Sequence, residues 1–141
     1  ELLFRVWLFE ELKLFLSTSQ AIFCQSILFS MVHPYNSGES LTVNILMKIG
    51  LLLLGIYLNL LRINNYPNIF PSIAFHSGIV GFMFLAKSTL QVQGKNPYLI
   101  YGIQYDSFIN PVSGLIGILT LFILNLYQIK NLKKIFRFGS D

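Results

Sequence analysis

Charge is scarce in this chain: Lys, Arg, Asp and Glu together make up 11% of its 141 residues, against 54% hydrophobic. A soluble domain carries roughly 25% charged residues, so the composition excludes an ordinary water-soluble globule. The excess apolar surface needs lipid as its partner. Cysteine is nearly missing as well. Cys24 alone excludes an intrachain disulfide framework, and with two histidines no zinc-finger spacing can be built. The net charge of +4 is spread over loops and helix ends, without the clustered basic and aromatic face of a nucleic-acid site, and nucleic acid is excluded as a partner. Heptads, solenoid periods and low-complexity tracts are absent. The start has no signal-peptide pattern; Glu1 opens straight into an apolar run, so the sequence reads as truncated upstream.

What the chain has is apolar runs. About 20 mostly apolar residues in a helix cross the roughly 30 Å of bilayer hydrocarbon, and the expected fold class is all-α: a polytopic transmembrane helical bundle of four complete spans plus the tail of a truncated one. The tail runs from Glu1 to about Leu16, its Glu10, Glu11 and Lys13 reaching interfacial water. Ser17, Thr18 and Ser19 are capping residues ahead of a helix from about Gln20 to Val32, which Pro34 ends. A span over Val43–Leu61 carries Gly50 and Gly55, which allow close backbone approach, and Arg62 marks its end. The next covers Ile69 to about Leu90. Gln91–Asn110, with Tyr98, Tyr101 and Tyr105 at headgroup level, reads as an interfacial loop. The last span, Pro111–Ile129, is followed at once by Lys130, Lys133, Lys134 and Arg137, a stop-transfer pattern. The domain reading is therefore a core over 1–90, an interfacial loop over 91–110, and a last helix with a basic tail over 111–141. Lys13, Arg62 and the tail cations fall on one side, which the positive-inside rule makes cytoplasmic, or the equivalent stromal side, with the C-terminus there.

Polar groups at membrane depth cost several kcal/mol and mark sites. Here they are Glu1, Arg5, His33 and His76. At about 1.5 Å of rise per residue, Glu1 and His33 both lie roughly 20 Å from the cytoplasmic edge and His76 about 10 Å, a gap that helix tilt can close. Glu1 and Arg5 are four apart and share a helix face, so they pair. A carboxylate beside two imidazoles, away from bulk water, suits the activation of a water and the stabilisation of an oxyanion. On pattern alone Glu1 with Arg5 equally fits a structural ion pair, and His33 a helix-end residue before Pro34. No inverted repeat or broken helix points to a transporter.

Three stretches change that balance: Glu1-Leu-Leu-Phe-Arg5, Phe29-Ser-Met-Val-His33, and Ile73-Ala-Phe-His-Ser-Gly78. In order and spacing they resemble the CPBP family of intramembrane proteases, the type II CAAX prenyl endopeptidases and bacteriocin-processing enzymes, which carry Glu-Glu-x-x-x-Arg, Phe-x-x-x-His and a later His followed four residues on by Asn or Asp. The likeness runs from Glu1 to about Thr89, and the His-Ser-Gly variant is similar to cyanobacterial and plastid members. The resemblance implies an endopeptidase that hydrolyses a peptide bond in or near the membrane of a prenylated or membrane-embedded substrate, by glutamate-activated water with histidine assistance. Glu1, His33 and His76 are its implied catalytic residues, with Arg5 and Phe29 supporting them. Arg5 makes Glu1 the second glutamate of the family pair, so the leading one, assigned the base role, is expected before it. Val80 stands where the family has Asn or Asp. Those two departures keep a second reading open, a non-catalytic membrane scaffold of the same family. No cofactor is required; zinc on Glu1, His33 and His76 matches catalytic zinc in donor type but lacks the His-Glu-x-x-His spacing, and the family favours a metal-free glutamate mechanism.

Overall fold

The computed structural model describes residues 1–34, 40–89, 103–105 and 108–138, of which 86–89, 103–105, 108–111 and 133–138 are described by backbone. The loop expected between Tyr35 and Glu39 lies outside these residues, as do Tyr98 and Tyr101 of the expected interfacial loop. The chain begins as a π-helix, Leu2–Leu8, that passes into a short α-helix, α1, Phe9–Lys13. Helix α2, Thr18–Val32, starts where Ser17 and Gln20 form a capping box: the Ser17 hydroxyl accepts from the Gln20 N–H at 3.4 Å, and the Gln20 side chain accepts from the Ser17 N–H at 3.0 Å. It ends at His33, whose extended backbone (φ −77°, ψ 130°) is what a following proline imposes.

Helix α3, Leu41–Asn64, is capped by Ser40, which accepts from the Val43 N–H. It overruns the expected Val43–Leu61 span at both ends. Helix α4, Phe70–Thr89, follows a turn with a cis Tyr66–Pro67 peptide. In the stretch read as a loop, strand β1, Ile103–Tyr105, pairs antiparallel with β2, Phe108–Asn110. Pro111–Ser113 is a 3-10 turn rather than the start of the last span, and α5 runs Leu115–Phe138. It continues past Ile129 because lysine and arginine are good helix formers.

Helix α3 is the centre of the bundle, packed chiefly on α2 and α5 and less extensively on α4. Two glycines permit these approaches. A Cβ on Gly50 would stand 1.8 Å from the Val112 carbonyl oxygen, and one on Gly55 would stand 3.0 Å from the Ser26 Cβ on α2. The apolar core around α3 comprises Phe29, Met47, Leu51, Leu54, Leu58 and Val112, among others.

The solvation pattern is that of a protein in lipid. Arg5, Gln25, Asn44, Asn59 and Ser72 are all buried to 1% exposure or less, while Trp7 (58%), Phe15 (85%), Phe82 (64%) and Ile123 (64%) face outward. In water the reverse holds; in a bilayer, polar side chains join helices and apolar ones meet the lipid. Buried polar bonds do join them: Ser72 Oγ donates to the Leu58 carbonyl (2.9 Å), and Asn125 Nδ2 to the Leu53 carbonyl (3.0 Å). Two stretches, Leu41–Asn64 and Leu115–Leu132, are long and apolar enough to cross a membrane. Thr18–Val32 and Phe70–Leu85 are apolar but shorter; the 15 residues of α2 reach about 22 Å.

Candidate active site

Glu1 turns its carboxylate from the start of the π-helix toward α4. Its Oε1 is 2.5 Å from His76 Nδ1, and its Oε2 is 3.2 Å from Arg5 Nε. Rise per residue alone puts Glu1 and His76 at different depths, yet the structure brings them together. Glu1 stands at the start of a π-wound turn, a winding that recurs at functional sites. A carboxylate oxygen accepts, so His76 Nδ1 carries the hydrogen and Nε2 is left for other work.

Arg5 is fully buried. Its Nη1 donates to Gln25 Oε1 at 2.5 Å, and its guanidinium lies 4.7 Å from the centre of the Phe29 ring. Phe29 is the hub of the site. The His33 ring meets it edge-on at 4.8 Å, the His76 ring at 5.7 Å and the Phe4 ring at 6.0 Å. The spacing Phe29-x-x-x-His33 serves a second purpose: His33 Nδ1 donates to the Phe29 carbonyl at 2.8 Å, across one helical turn. That bond fixes His33 with its Nε2 outward, as Glu1 does for His76.

Both imidazoles line one cavity of about 280 Å³, walled by Met47, Leu51, Val80 and Val112. A larger cavity, about 390 Å³, is walled by Ile27, Met31, Ile45 and Lys48 and holds neither histidine. The two histidines therefore converge on one space, and Glu1 reaches it through His76. Among the described residues no hydrogen bond joins Glu1 directly to His33. Nor do the described residues include a group of three or more His, Cys, Asp or Glu side chains placed to hold a metal ion. Glu1 has committed one oxygen to His76 and the other to Arg5, so Glu1, His33 and His76 are not arranged as a zinc set.

Three participants escaped the sequence reading. Gln25 and Asn59 underlie Arg5: Asn59 Nδ2 donates to Gln25 Oε1, and also to the Gly55 carbonyl at 3.2 Å. Lys48 closes the end of α2, its Nζ donating to the carbonyls of Ser30 (2.9 Å) and His33 (2.5 Å), while Ser30 Oγ returns a bond to the Lys48 carbonyl (2.9 Å). A cation is favoured at a helix C-terminus. The usable signal was an amide or an ammonium in the middle of an apolar helix, where a polar group must find an internal partner.

Against known proteins, the family model described as "Type II CAAX prenyl endopeptidase Rce1-like" matches residues 1–82. Neither the curated proteins nor the solved structures contain a match.

Proposed function

The chain belongs to the Rce1-like family of type II CAAX prenyl endopeptidases, and on that premise we propose that it is a multi-pass membrane endopeptidase whose site is the Glu1–His76 pair together with His33. The observation that carries this reading is the 2.5 Å contact between Glu1 Oε1 and His76 Nδ1 beside a cavity lined by both histidines. The substrate class is a prenylated or membrane-embedded peptide, reached from lipid, with the C-terminus of the enzyme on the cytoplasmic side.

The proposed chemistry follows from which nitrogens are committed. With Nδ1 of His76 engaged by Glu1, its Nε2 accepts a proton from water while the water oxygen attacks the scissile carbonyl carbon. The carbonyl electron pair moves to oxygen. Glu1 balances the imidazolium that forms, and Arg5 fixes the Glu1 carboxylate from its other oxygen. The tetrahedral species collapses by breaking the C–N bond, and the leaving amine takes the proton back from His76. His33, with Nδ1 held by the Phe29 carbonyl, offers Nε2 to a hydrogen of the water and so positions it.

A second reading keeps the same membrane protein without the hydrolysis, as a scaffold for other membrane proteins. Val80 favours it, since an apolar wall stands where the family places an oxyanion-holding amide or acid. The two separate in one experiment: purified full chain in detergent with a prenylated peptide, and the His33→Ala and His76→Ala variants alongside. Hydrolysis lost in both variants supports the protease. Partner capture retained by both variants, with no wild-type cleavage, supports the scaffold.

A further inference from the structure

We infer that Gln25, held in turn by Asn59, is a positioning residue of the site: it fixes the Arg5 guanidinium and, through it, the Glu1 carboxylate. The inference rests on the proposed hydrolytic role of Glu1. Its physical basis is a chain of contacts that runs from α3 to the carboxylate. Asn59 on α3 shares one Nδ2 hydrogen between the Gly55 carbonyl of its own helix (3.2 Å) and Ser26 Oγ of α2 (3.3 Å), where a Cβ on Gly55 would meet Ser26. The same Nδ2 donates to Gln25 Oε1. That oxygen, with two lone pairs, also accepts from Arg5 Nη1 at 2.5 Å, and Arg5 Nε then holds Glu1 Oε2 at 3.2 Å. Arg5, Gln25 and Asn59 are all fully buried, so water does not compete for any of these bonds.

The identity of the side chain matters as much as its place. A buried guanidinium needs acceptors, and an acid at residue 25 would satisfy it by neutralising it. A neutral amide orients Arg5 and leaves its charge for Glu1 alone. Neither Gln25 nor Asn59 lines the cavity of the two histidines, so their effect reaches the chemistry only by way of Arg5.

The test is a double-substitution cycle on the full chain in detergent, read as steady-state cleavage of a prenylated peptide. Gln25→Leu is expected to lower kcat by about tenfold or more with KM within about twofold, since misplacing a catalytic group by about 1 Å costs up to a hundredfold. In an Arg5→Met background, which has no donor for Gln25 Oε1, the same substitution is expected to change kcat by less than about twofold, because the interaction it removes is already gone. An equal fall in both backgrounds, a change confined to KM, or no change overturns the inference. Gln25→Met, unbranched and of similar length, replaces the leucine variant if that one shows no cooperative melting. If neither melts cooperatively, Gln25 is a fold determinant and the positioning role is refuted. Glu1→Gln is run in parallel. Full activity there refutes the hydrolytic reading of the site, whereas an inactive Glu1→Gln beside an unaffected Gln25→Leu refutes only this inference.

Discussion

Replacing Gly50 by alanine tests the packing that shapes the cavity. The added Cβ would sit 1.8 Å from the Val112 carbonyl oxygen and 2.9 Å from its carbonyl carbon. These are backbone atoms, which cannot swing aside as a side chain would, so α3 and the 3-10 turn at Pro111–Ser113 must separate. Overpacking of this kind costs about 1–3 kcal/mol, and the distance puts Gly50→Ala at the upper end. Against it stands the roughly 1 kcal/mol that alanine gains over glycine inside a helix. The net loss is about 2 kcal/mol, several degrees in the melting temperature of a chain this size. Gly78→Ala is the internal control, because nothing lies within 4 Å of its Cβ and only the helix gain remains. Gly55→Ala falls between, 3.0 Å from the Ser26 Cβ. Melting of the detergent-solubilised variants, followed by circular dichroism, should rank them Gly78→Ala above wild type, then Gly55→Ala, then Gly50→Ala. A Gly50→Ala variant as stable as Gly78→Ala would show that α3 does not meet Val112 as described. Because Val112 walls the histidine cavity, peptide cleavage should fall with stability in Gly50→Ala alone.

Other perturbations probe separate contacts. Lys48→Met leaves the Ser30 and His33 carbonyls without their donor, so stability should fall by about 1–2 kcal/mol and kcat about tenfold as His33 loosens; an unchanged kcat would detach Lys48 from the site. Asn125→Leu removes the bond from α5 to the Leu53 carbonyl and should cost only about 0.6 kcal/mol, the usual worth of such bonds within a membrane; a loss above about 2 kcal/mol would mean that α5 depends on it far more. Glu10, at the interfacial end of α1, is opposed by burial but held by Arg62 (2.7 Å) and Lys13 (3.1 Å), and its carboxyl titrates below the ordinary 4.5. Its contribution to stability is therefore complete above that value and is lost as pH falls below it. In Glu10→Gln the acid-side decline in melting temperature should be shallower, and an identical decline would remove this ion pair from the account.

How much of this was legible depended on how local the cause was. The Ser17 cap of α2, the stop at Pro34 and the Glu1–Arg5 pair are set by neighbours within a turn, and all are found as expected. The Phe29–His33 spacing likewise produces its backbone bond directly. Gly50 and Gly55 announced close approaches without naming their partners, because Val112 lies 62 positions beyond Gly50. The π-winding of Leu2–Leu8 was not legible at all, since residues such as Leu, Phe and Trp give no signal that separates it from an α-turn. Gln25 and Asn59 are not legible as site residues, because one amide in an apolar helix carries no indication of its partner, and here the partner lies on another helix. Proline fits the first turn of an α-helix as well as a 3-10 turn, so the sequence puts the start of the last helix at Pro111, whereas Pro111 opens a 3-10 turn and the helix begins at Leu115.

The measurement that bears most directly on the proposed function is the cleavage rate of a prenylated peptide by the full chain carrying Glu1→Gln, His76→Ala, or both. If the carboxylate acts through the imidazole it contacts, each single substitution lowers kcat by about a hundredfold or more, and the pair together is no slower than the worse of the two. Losses that multiply, or a wild-type rate in either single variant, would contradict a coupled Glu1–His76 pair as the centre of the chemistry.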